Sequence, residues 1–560
     1  MNHRRWRLPP SPPPGFLKEL GQPPLVNQLL YNRGLTDAAK AKAFLDIGPG
    51  LQHDPFLLVD MEKAAARIRQ ALVSQETIVV YGDFDADGVC GTAILVEGLG
   101  RLGGKVLSYF PHRVQEGYGL NNDSIDKLQA RGASLIITVD CGITNNTEVA
   151  YAQSRGLDVI ITDHHNVMSG LPPALATVNP KRPGSPYPFD QLAGVGVAFK
   201  LLQAVSQSLG REEDLDEMLD LVAMGTVADK VPLLDENRYL VHRGLEVLRQ
   251  TRRPGLRAMM EVARLDAKYL DADAIAWTMA PRLNAPGRLD HAMTSYRLVL
   301  ATSSEEANLL AQQLEERNSE RQRLTEEFLT RAKAELSAAA LAQPFLMIGG
   351  EDYPSGIAGL IAGRLAEEFY RPSVVYELRE ATASGSARSI PEFDIISALS
   401  ECRDLLQRFG GHPGAAGFAL PRENLEPLRQ RLLEMAQRQL AGIDLRPHLS
   451  IDAVIPLSGI GGKTYRVVDR FAPFGHENPM PVFLSRRVGV VDHYPIGNAS
   501  QHLRLRLRDG GISWKGVGFD LGGLDSEIAP EIDIVYNLVI DRWNGEESLA
   551  LNILDFAPST

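Results

Sequence analysis

The sequence predicts an α/β protein built as a parallel-sheet domain, a second α/β domain joined to it by a long helix, and a small antiparallel β-barrel at the end. Three observations carry this. Short runs rich in β-branched residues alternate with helix-like stretches from about residue 50 to about 300. A polar helical stretch follows, after which apolar runs resume at Phe345-Leu346-Met347-Ile348. From about residue 448 the pattern changes to short strand-like pieces and glycine turns such as Asp509-Gly510-Gly511.

Each apolar run of the first domain ends on an acid. Ile78-Val79-Val80-Tyr81 leads into Asp83-Phe84-Asp85-Ala86-Asp87-Gly88, Leu135-Ile136-Ile137-Thr138-Val139 ends on Asp140, and Val159-Ile160-Ile161 leads into Asp163-His164-His165. Such runs read as buried strands, and the helical stretches between them make the sheet parallel. Ligands of these sheets sit beyond the carboxyl ends of the strands, so carboxylates and imidazoles from three strand ends converge. Like charges that close are tolerated only if protonated or neutralised by cations. Oxygen and imidazole donors suit Mn²⁺ or Mg²⁺ better than a thiolate metal.

The 560 residues give room for two to four domains with large cores, and 44% hydrophobic with 23% charged residues is ordinary for a soluble globular protein. Cys90, Cys141 and Cys402 contain no CxxC pair, which excludes a disulfide framework and fits a reducing cytoplasm. Met1-Asn2-His3-Arg4-Arg5-Trp6 has no apolar stretch behind its charges, so no signal peptide is expected. With no run of about 18 apolar residues, no membrane span is expected either. The net charge of −12 speaks against a generally basic nucleic-acid surface. A metal site concentrates acids, however, and polyanion binding then rests on local arginine clusters.

Residues 1–45 read as an N-terminal arm, proline-rich and then helical near 36–45. The first α/β domain takes 46–303, with a loop Asn179-Pro180-Lys181-Arg182-Pro183 and helices at 195–209 and 215–222. Residues 304–340 read as one connecting helix, capped by Ser303 or Ser304 with Glu305 and Glu306 behind. Its stripe of Leu309, Leu310, Leu314, Leu324, Phe328 and Leu329 is that of an ordinary amphipathic helix; its position also suits a spacer. The second α/β domain takes 341–445 and the last domain 446–560. There Leu503-Arg504-Leu505-Arg506-Leu507-Arg508 alternates with period two, leucines inward and arginines outward, as in a barrel of the OB type. The arginine face is either a solvated strand surface or a track for a nucleic-acid backbone.

Asp83-x-Asp85-x-Asp87-Gly88 matches the start of a calcium loop, but position 12 is Ile94 instead of glutamate and a strand precedes it. A helix cap needs one aspartate, so three at alternate positions point to metal binding. Adjacent residues on an extended chain face opposite ways, so one histidine of Asp163-His164-His165 binds metal and the other reaches substrate. Asp229, in Val227-Ala228-Asp229-Lys230, is on pattern alone either another acid ligand or a helix C-terminal residue. Cys90 and Cys141 read as small packed residues. Arginine and glycine loops recur at His112-Arg113, Arg282-Leu283-Asn284-Ala285-Pro286-Gly287-Arg288, Gly385-Ser386-Ala387-Arg388-Ser389 and Gly410-Gly411-His412. One such loop is usually a turn; four beside a metal cluster point to phosphate recognition.

These motifs resemble the DHH phosphoesterase superfamily, and within it the RecJ exonuclease family. The segments at 83–88, 140–142 and 163–165 resemble the DHH core; 227–233, 282–288, 385–389 and 410–417 add the rest of the RecJ pattern, including the DHH-associated domain. The likeness runs from about 50 to 440, and the last domain sits where that family carries an OB domain. It implies Asp83, Asp85, Asp87, Asp140, His164 and Asp229 as ligands of two Mn²⁺ or Mg²⁺ ions. Catalysis would fall to His165, Asp87 and Asp140, with His165 touching the scissile phosphate. Ser386 and Arg388 would hold the 5′ end, with Arg113 helping; Arg282, Asn284, Arg288 and His412 would contact the nucleotide near the cut. One position departs: Pro354-Ser355-Gly356-Ile357 stands where the family usually has a histidine before the glycine, which puts the second domain's nucleotide contacts in question. The implied activity is metal-dependent 5′→3′ degradation of single-stranded DNA in repair and recombination. The implied protein is a cytoplasmic monomer that works with single-strand-binding protein and a recombination helicase. One rival is a phosphodiesterase on short oligonucleotides or cyclic dinucleotides, which would not need the barrel. The other is a non-catalytic DNA-binding replication scaffold, which should have lost carboxylates that are present here.

Overall fold

A computed structural model describes residues 4–113, 115–167, 170–211, 215–543 and 546–559. Two compact units divide the chain: one holds 1–287, 291–312 and 448–560, the other 288–290 and 313–447.

In the first unit, the β-branched runs form a parallel sheet of β1 (Thr77–Gly82), β2 (Lys105–Tyr109), β3 (Ala133–Val139), β4 (Asp158–Thr162) and β5 (Ala176–Val178), in the order β2-β1-β3-β4-β5. The chain leaves β1 for one side and returns to the other, so the topological switch point lies between β1 and β3. Register does the rest. Gly82 pairs with Val139, Val139 with Thr162 and Thr162 with Val178. Asp83, Asp140, Asp163 and Asn179 are therefore the first residues past four neighbouring strands. Backbone bonds continue the ladder through them: Asp83 N to Val139 O at 3.1 Å, Asp140 N to Thr162 O at 3.1 Å and Asp163 N to Val178 O at 3.2 Å.

Three helices cover this end. α1 (Ala86–Arg101) starts directly after the first acids, α2 (Gly194–Ser208) is close to the 195–209 expectation, and α3 (Leu219–Ala228) lies later than 215–222. The shift has a physical cause. α3 is buried on nearly every side, so it carries no apolar period from which to read its bounds. Further on, α4 (Ala280–Leu289) carries the arginine–asparagine segment, and α5 (Ser304–Glu335) is the connecting helix. Ser303 Oγ accepts the Glu306 N–H at 3.2 Å, and α5 stops at Glu335 rather than 340 because Ser337 caps a separate turn, Ala338–Leu341.

The second unit holds β6 (Leu346–Gly350), α6 (Ser355–Phe369), β7 (Ser373–Leu378), β8 (Thr382–Arg388), β9 (Arg408–His412) and β10 (Ala415–Pro421). Their sheet order is β9-β10-β8-β7-β6, with β6 and β7 parallel and the rest antiparallel.

The last domain, in the first unit, is a closed barrel of β11 (Phe483–Ile496), β12 (His502–Asp509), β13 (Ile512–Gly518), β14 (Glu531–Trp543) and β15 (Glu546–Pro558). The order β11-β12-β13-β15-β14 returns to β11, and β13 runs parallel to β15. This is the five-stranded Greek-key closure of an OB fold. β11 serves two edges, pairing with β14 in its first half and β12 in its second, and bulges at 485–488 and 490–492 let it bend. Leu503, Leu505 and Leu507 are buried in the barrel, while Arg504, Arg506 and Arg508 are exposed.

The alternation on β12 has a stability consequence. Leu505→Ala should lower the barrel's local stability by about 3 kcal/mol, while Arg504→Ala should change it by less than about 0.5 kcal/mol. Hydrogen exchange of the β12 amides reads the difference; equal protection in both variants would contradict the inward leucine.

Candidate metal centre and nucleic-acid interface

The three aspartates of the first motif have separate duties. Asp85 is the N-cap of α1: its Oδ1 accepts the N–H of Asp87 at 3.0 Å and of Gly88 at 3.1 Å. Asp87 is fully buried. Its Oδ2 accepts the Gly194 N–H at 2.7 Å and its Oδ1 the Val195 N–H at 2.8 Å, from the first turn of α2. A side chain at Gly194 would put Cβ 2.7 Å from the Asp140 Cβ and 2.9 Å from Asp87 Oδ2, so this approach requires glycine. Asp83 and Asp140 are buried at the strand ends, and Asp83 Oδ1 accepts no hydrogen bond.

His164 turns into this cluster. Its Nε2 lies 2.9 Å from Asp140 Oδ1, 3.5 Å from Asp229 Oδ2 and 3.9 Å from Asp87 Oδ2. Asp229 is the C-cap of α3, and its Oδ2 also lies at the cluster. Three overlapping sets of donor atoms lie within 4.8 Å of one another: Asp83, Asp85 and Asp140; Asp87, His164 and Asp229; and Asp140, His164 and His165. All six expected ligands are thus together.

Burial pushes the Asp87 carboxyl up to about 7, helped by Asp85. Burial also holds Asp83, Asp140 and Asp229 well above the usual range; Asp85 adds to this at Asp83, and Asp87 at the other two. Buried, mutually repelling carboxylates beside an imidazole are the donor set that a hard divalent cation fits.

His165 faces differently, as the alternation requires. Its Nδ1 bonds Asp163 Oδ1 at 2.8 Å. Asp163 is itself fixed, accepting N–H groups from Ile143 at 2.9 Å, His164 at 2.7 Å and His165 at 3.0 Å. Burial alone would raise the Asp163 carboxyl, but His165 outweighs it and holds it at about 2. Burial likewise opposes charge on His165, and Asp163 overrides it, pushing the imidazole up to about 9.

Sequence reasoning missed three supporting groups. Asp163 orients His165. The Asn179 amide donates to the His165 carbonyl at 2.9 Å. Tyr118 donates its hydroxyl to the Asp140 carbonyl at 2.8 Å and lies 3.3 Å from His165 Nδ1. The available signals were the acid that opens the histidine pair, the asparagine in register behind it, and a tyrosine between two glycines, Gly117 and Gly119, both with positive φ.

Comparison with known proteins adds to this geometry. The DHH family N-terminal domain matches residues 77–226, the DHHA1 domain 338–439 and the RecJ OB domain 451–555. The single-stranded-DNA-specific exonuclease RecJ of Bacillus subtilis is 40% identical over 540 residues, 96% of this chain and 68% of that protein. The chain belongs to the RecJ family. RecJ of Salmonella typhimurium is 33% identical over 96% of each chain. Among solved structures, RecJ of Thermus thermophilus in complex with Mn²⁺ matches with a TM-score of 0.85 at 30% identity, covering 99% of this chain and 80% of that one. The Mg²⁺ complex matches with a TM-score of 0.79. The expected RecJ architecture is present: a parallel-sheet DHH domain, a DHH-associated domain and an OB-type barrel.

The residues that the RecJ pattern assigns to DNA fall in both units. In the first, the Arg113 guanidinium lies 4.7 Å over the Phe84 ring, beside the acid loop. Asn284 Oδ1 accepts the Ala86 N–H at 2.7 Å, so this side chain also anchors the start of α1. Arg282 Nη1 donates to the Thr278 carbonyl at 2.7 Å. In the second unit, Ser386 and Arg388 share one face of β8. Arg388 and His412 both pair with Ala415 of the intervening β10. Arg388 lies against α6, where a Cβ on Gly359 would come 2.9 Å from its Nη2. Arg288 Nη1 reaches the Gly356 carbonyl at 3.5 Å. Pro354, the departing position, is the N-cap of α6 and makes no side-chain capping bond.

A carboxyl with a raised folded-state pKa keeps its proton where the unfolded chain has lost it, so it removes stability as pH rises above about 4. His165 acts at the other end: its contribution persists below about pH 6.5 and fades as pH passes 9. In the presence of a chelator, the Tm of Asp140→Asn should therefore exceed that of the parent by a margin that widens from about pH 5 to about pH 7.5. A constant or shrinking margin would contradict the repulsive cluster.

Proposed function

We propose that this chain is a metal-dependent exonuclease that degrades single-stranded DNA from the 5′ end. The observation that supports it best is the full set of carboxylates and imidazoles gathered at one place, from the strand ends, the start of α1 and the end of α3, in a member of the RecJ family. The barrel favours long strands over dinucleotides, and the retained acids weigh against a scaffold.

In this reading Asp83, Asp85, Asp87, Asp140, His164 and Asp229 hold two Mn²⁺ or Mg²⁺ ions. The chemistry those cations supply when bound is positive charge at the phosphate and a more acidic water. The protein's own part is positioning. Asp87 is fixed by two N–H bonds from α2, and Asp140 by the strand ladder, so the donor atoms need little rearrangement. His165, kept positive by Asp163, offers its ring to an oxygen of the scissile phosphate and stabilises charge developing there. Ser386 and Arg388 take the 5′ phosphate, with Arg113 assisting. Arg282, Asn284, Arg288 and His412 steady the nucleotide near the cut. We further propose a cytoplasmic monomer that works with single-strand-binding protein and a recombination helicase. Among the described residues, no helix is long and apolar enough to cross a membrane.

Strands labelled at either end test the reaction. Loss should proceed from the 5′ end, need Mn²⁺ or Mg²⁺, and vanish in Asp140→Ala. Arg388→Ala should lose preference for a 5′-phosphorylated end while turnover falls less; full preference in that variant would move the anchor elsewhere.

The barrel carries a separate expectation. Arg504, Arg506 and Arg508 point outward on β12, Lys515 sits opposite Arg506 on β13, and Tyr494 opposite Arg504 on β11. This is the strand 2–3 face that OB folds use for oligonucleotides. Replacing the three arginines with glutamine should flatten the salt dependence of DNA binding by up to about 2 units. Arg506, paired with Asp492 at 2.6 Å, should contribute least. An unchanged slope in the folded triple variant would make this face merely solvated.

A further inference from the structure

A helix irregularity beside the metal centre presents an aromatic side chain to solvent. Residues Ile275–Met279 form a π-helical segment that leads directly into α4. Ile275 and Met279 at its ends are fully buried, yet Trp277 between them is 74% exposed. Among the described residues it is the only strongly exposed large apolar side chain between 172 and 308. Its indole donates to the Asp273 carboxylate, one turn back on the same rod. Segments with π geometry insert one extra residue per turn and often mark functional sites.

The same helical rod serves the metal centre. Arg282 bonds the Thr278 carbonyl of the π segment, and Asn284 accepts the N–H of Ala86 at the start of the acid loop. Seven residues separate Trp277 from Asn284, which is about 10 Å along a helix axis. A lone exposed aromatic is a poor protein interface, which needs a contiguous apolar core. It is a good platform for a base, because every base has a π face and single strands are bound without sequence preference by stacking.

We propose that Trp277 is a nucleobase-stacking subsite for the single strand, with Arg282 beside it for the backbone. The proposal rests on the single-stranded-DNA reading above and adds a residue that touches the bases. The ring stands exposed on the π segment, and the rod ties its position to that of the acid loop.

Steady-state degradation of oligo(dT) by the full chain in Mn²⁺ provides the test, with parent, Trp277→Ala and Trp277→Phe compared. Trp277→Ala should raise KM for a long strand about 5-fold or more, with the change in KM rather than kcat and a smaller effect on a dinucleotide. Trp277→Phe should restore most of the loss, because a phenyl ring still stacks. Tryptophan fluorescence should be quenched by oligo(dT) in the parent, with the change reduced in Trp277→Phe. Unchanged KM in Trp277→Ala, or a loss that phenylalanine does not relieve, would overturn the subsite. A parent unable to degrade oligo(dT) would instead overturn the exonuclease reading. Circular dichroism of each variant separates misfolding from lost stacking.

Discussion

Four parallel strands end in register, and the first residue past each is Asp83, Asp140, Asp163 or Asn179. The ladder that aligns the strands also aligns these side chains, and Asp83 is left with a bare buried oxygen. Repulsion among such groups disfavours the folded state unless protons or cations relieve it. The hydrophobic sheet supplies the opposing stabilisation: Ile78, Val79, Val80, Ile136, Ile137, Val159 and Ile160 are all fully buried. The fold thus holds a charge arrangement that a flexible loop would relax.

Much of the remaining first unit serves that row. Asp85 caps α1, Asn284 ties the same turn to α4, and the first turn of α2 gives Asp87 two N–H bonds. Gly194 leaves the space in which α2 comes that close. Asp163 belongs to the row by register but is spent on backbone N–H groups and His165, so it acts on the imidazole and holds its charge. Elsewhere in the unit, fully buried Arg238 donates to the carbonyls of Phe44 at 3.1 Å and Phe471 at 2.9 Å, joining the N-terminal arm, the catalytic domain and the approach to the barrel.

The strand ends were legible because β-branched runs stop abruptly at acids, and parallel topology turns that pattern into a location. The barrel was legible from one alternating strand, since period two reports which face is wet. Asp229 was ambiguous because a helix C-cap and a ligand look alike in sequence; only the approach of His164 to 3.5 Å brings it into the cluster. Other features left weak signals. Tyr118 acts through a loop whose path depends on two glycines, and Asn284 bonds a residue 198 positions away. Arg238 reads as a surface cation on an amphipathic helix until the carbonyls that surround it come from distant segments. The π segment at Trp277 has no period of its own.

The strand-end acids, with Asp87 and Asp229 from the helices beside them, are arranged to be neutralised by divalent cations. Calorimetric titration of the chelator-treated chain with Mn²⁺, in buffers of different ionisation enthalpy, measures both binding and the protons released with it. Carboxyls held above their usual range carry protons that metal must displace, so binding near pH 6.5 should release protons. In Asp140→Asn both affinity and proton release should fall. Equal affinity in that variant, or binding by the parent without proton release, would contradict the account.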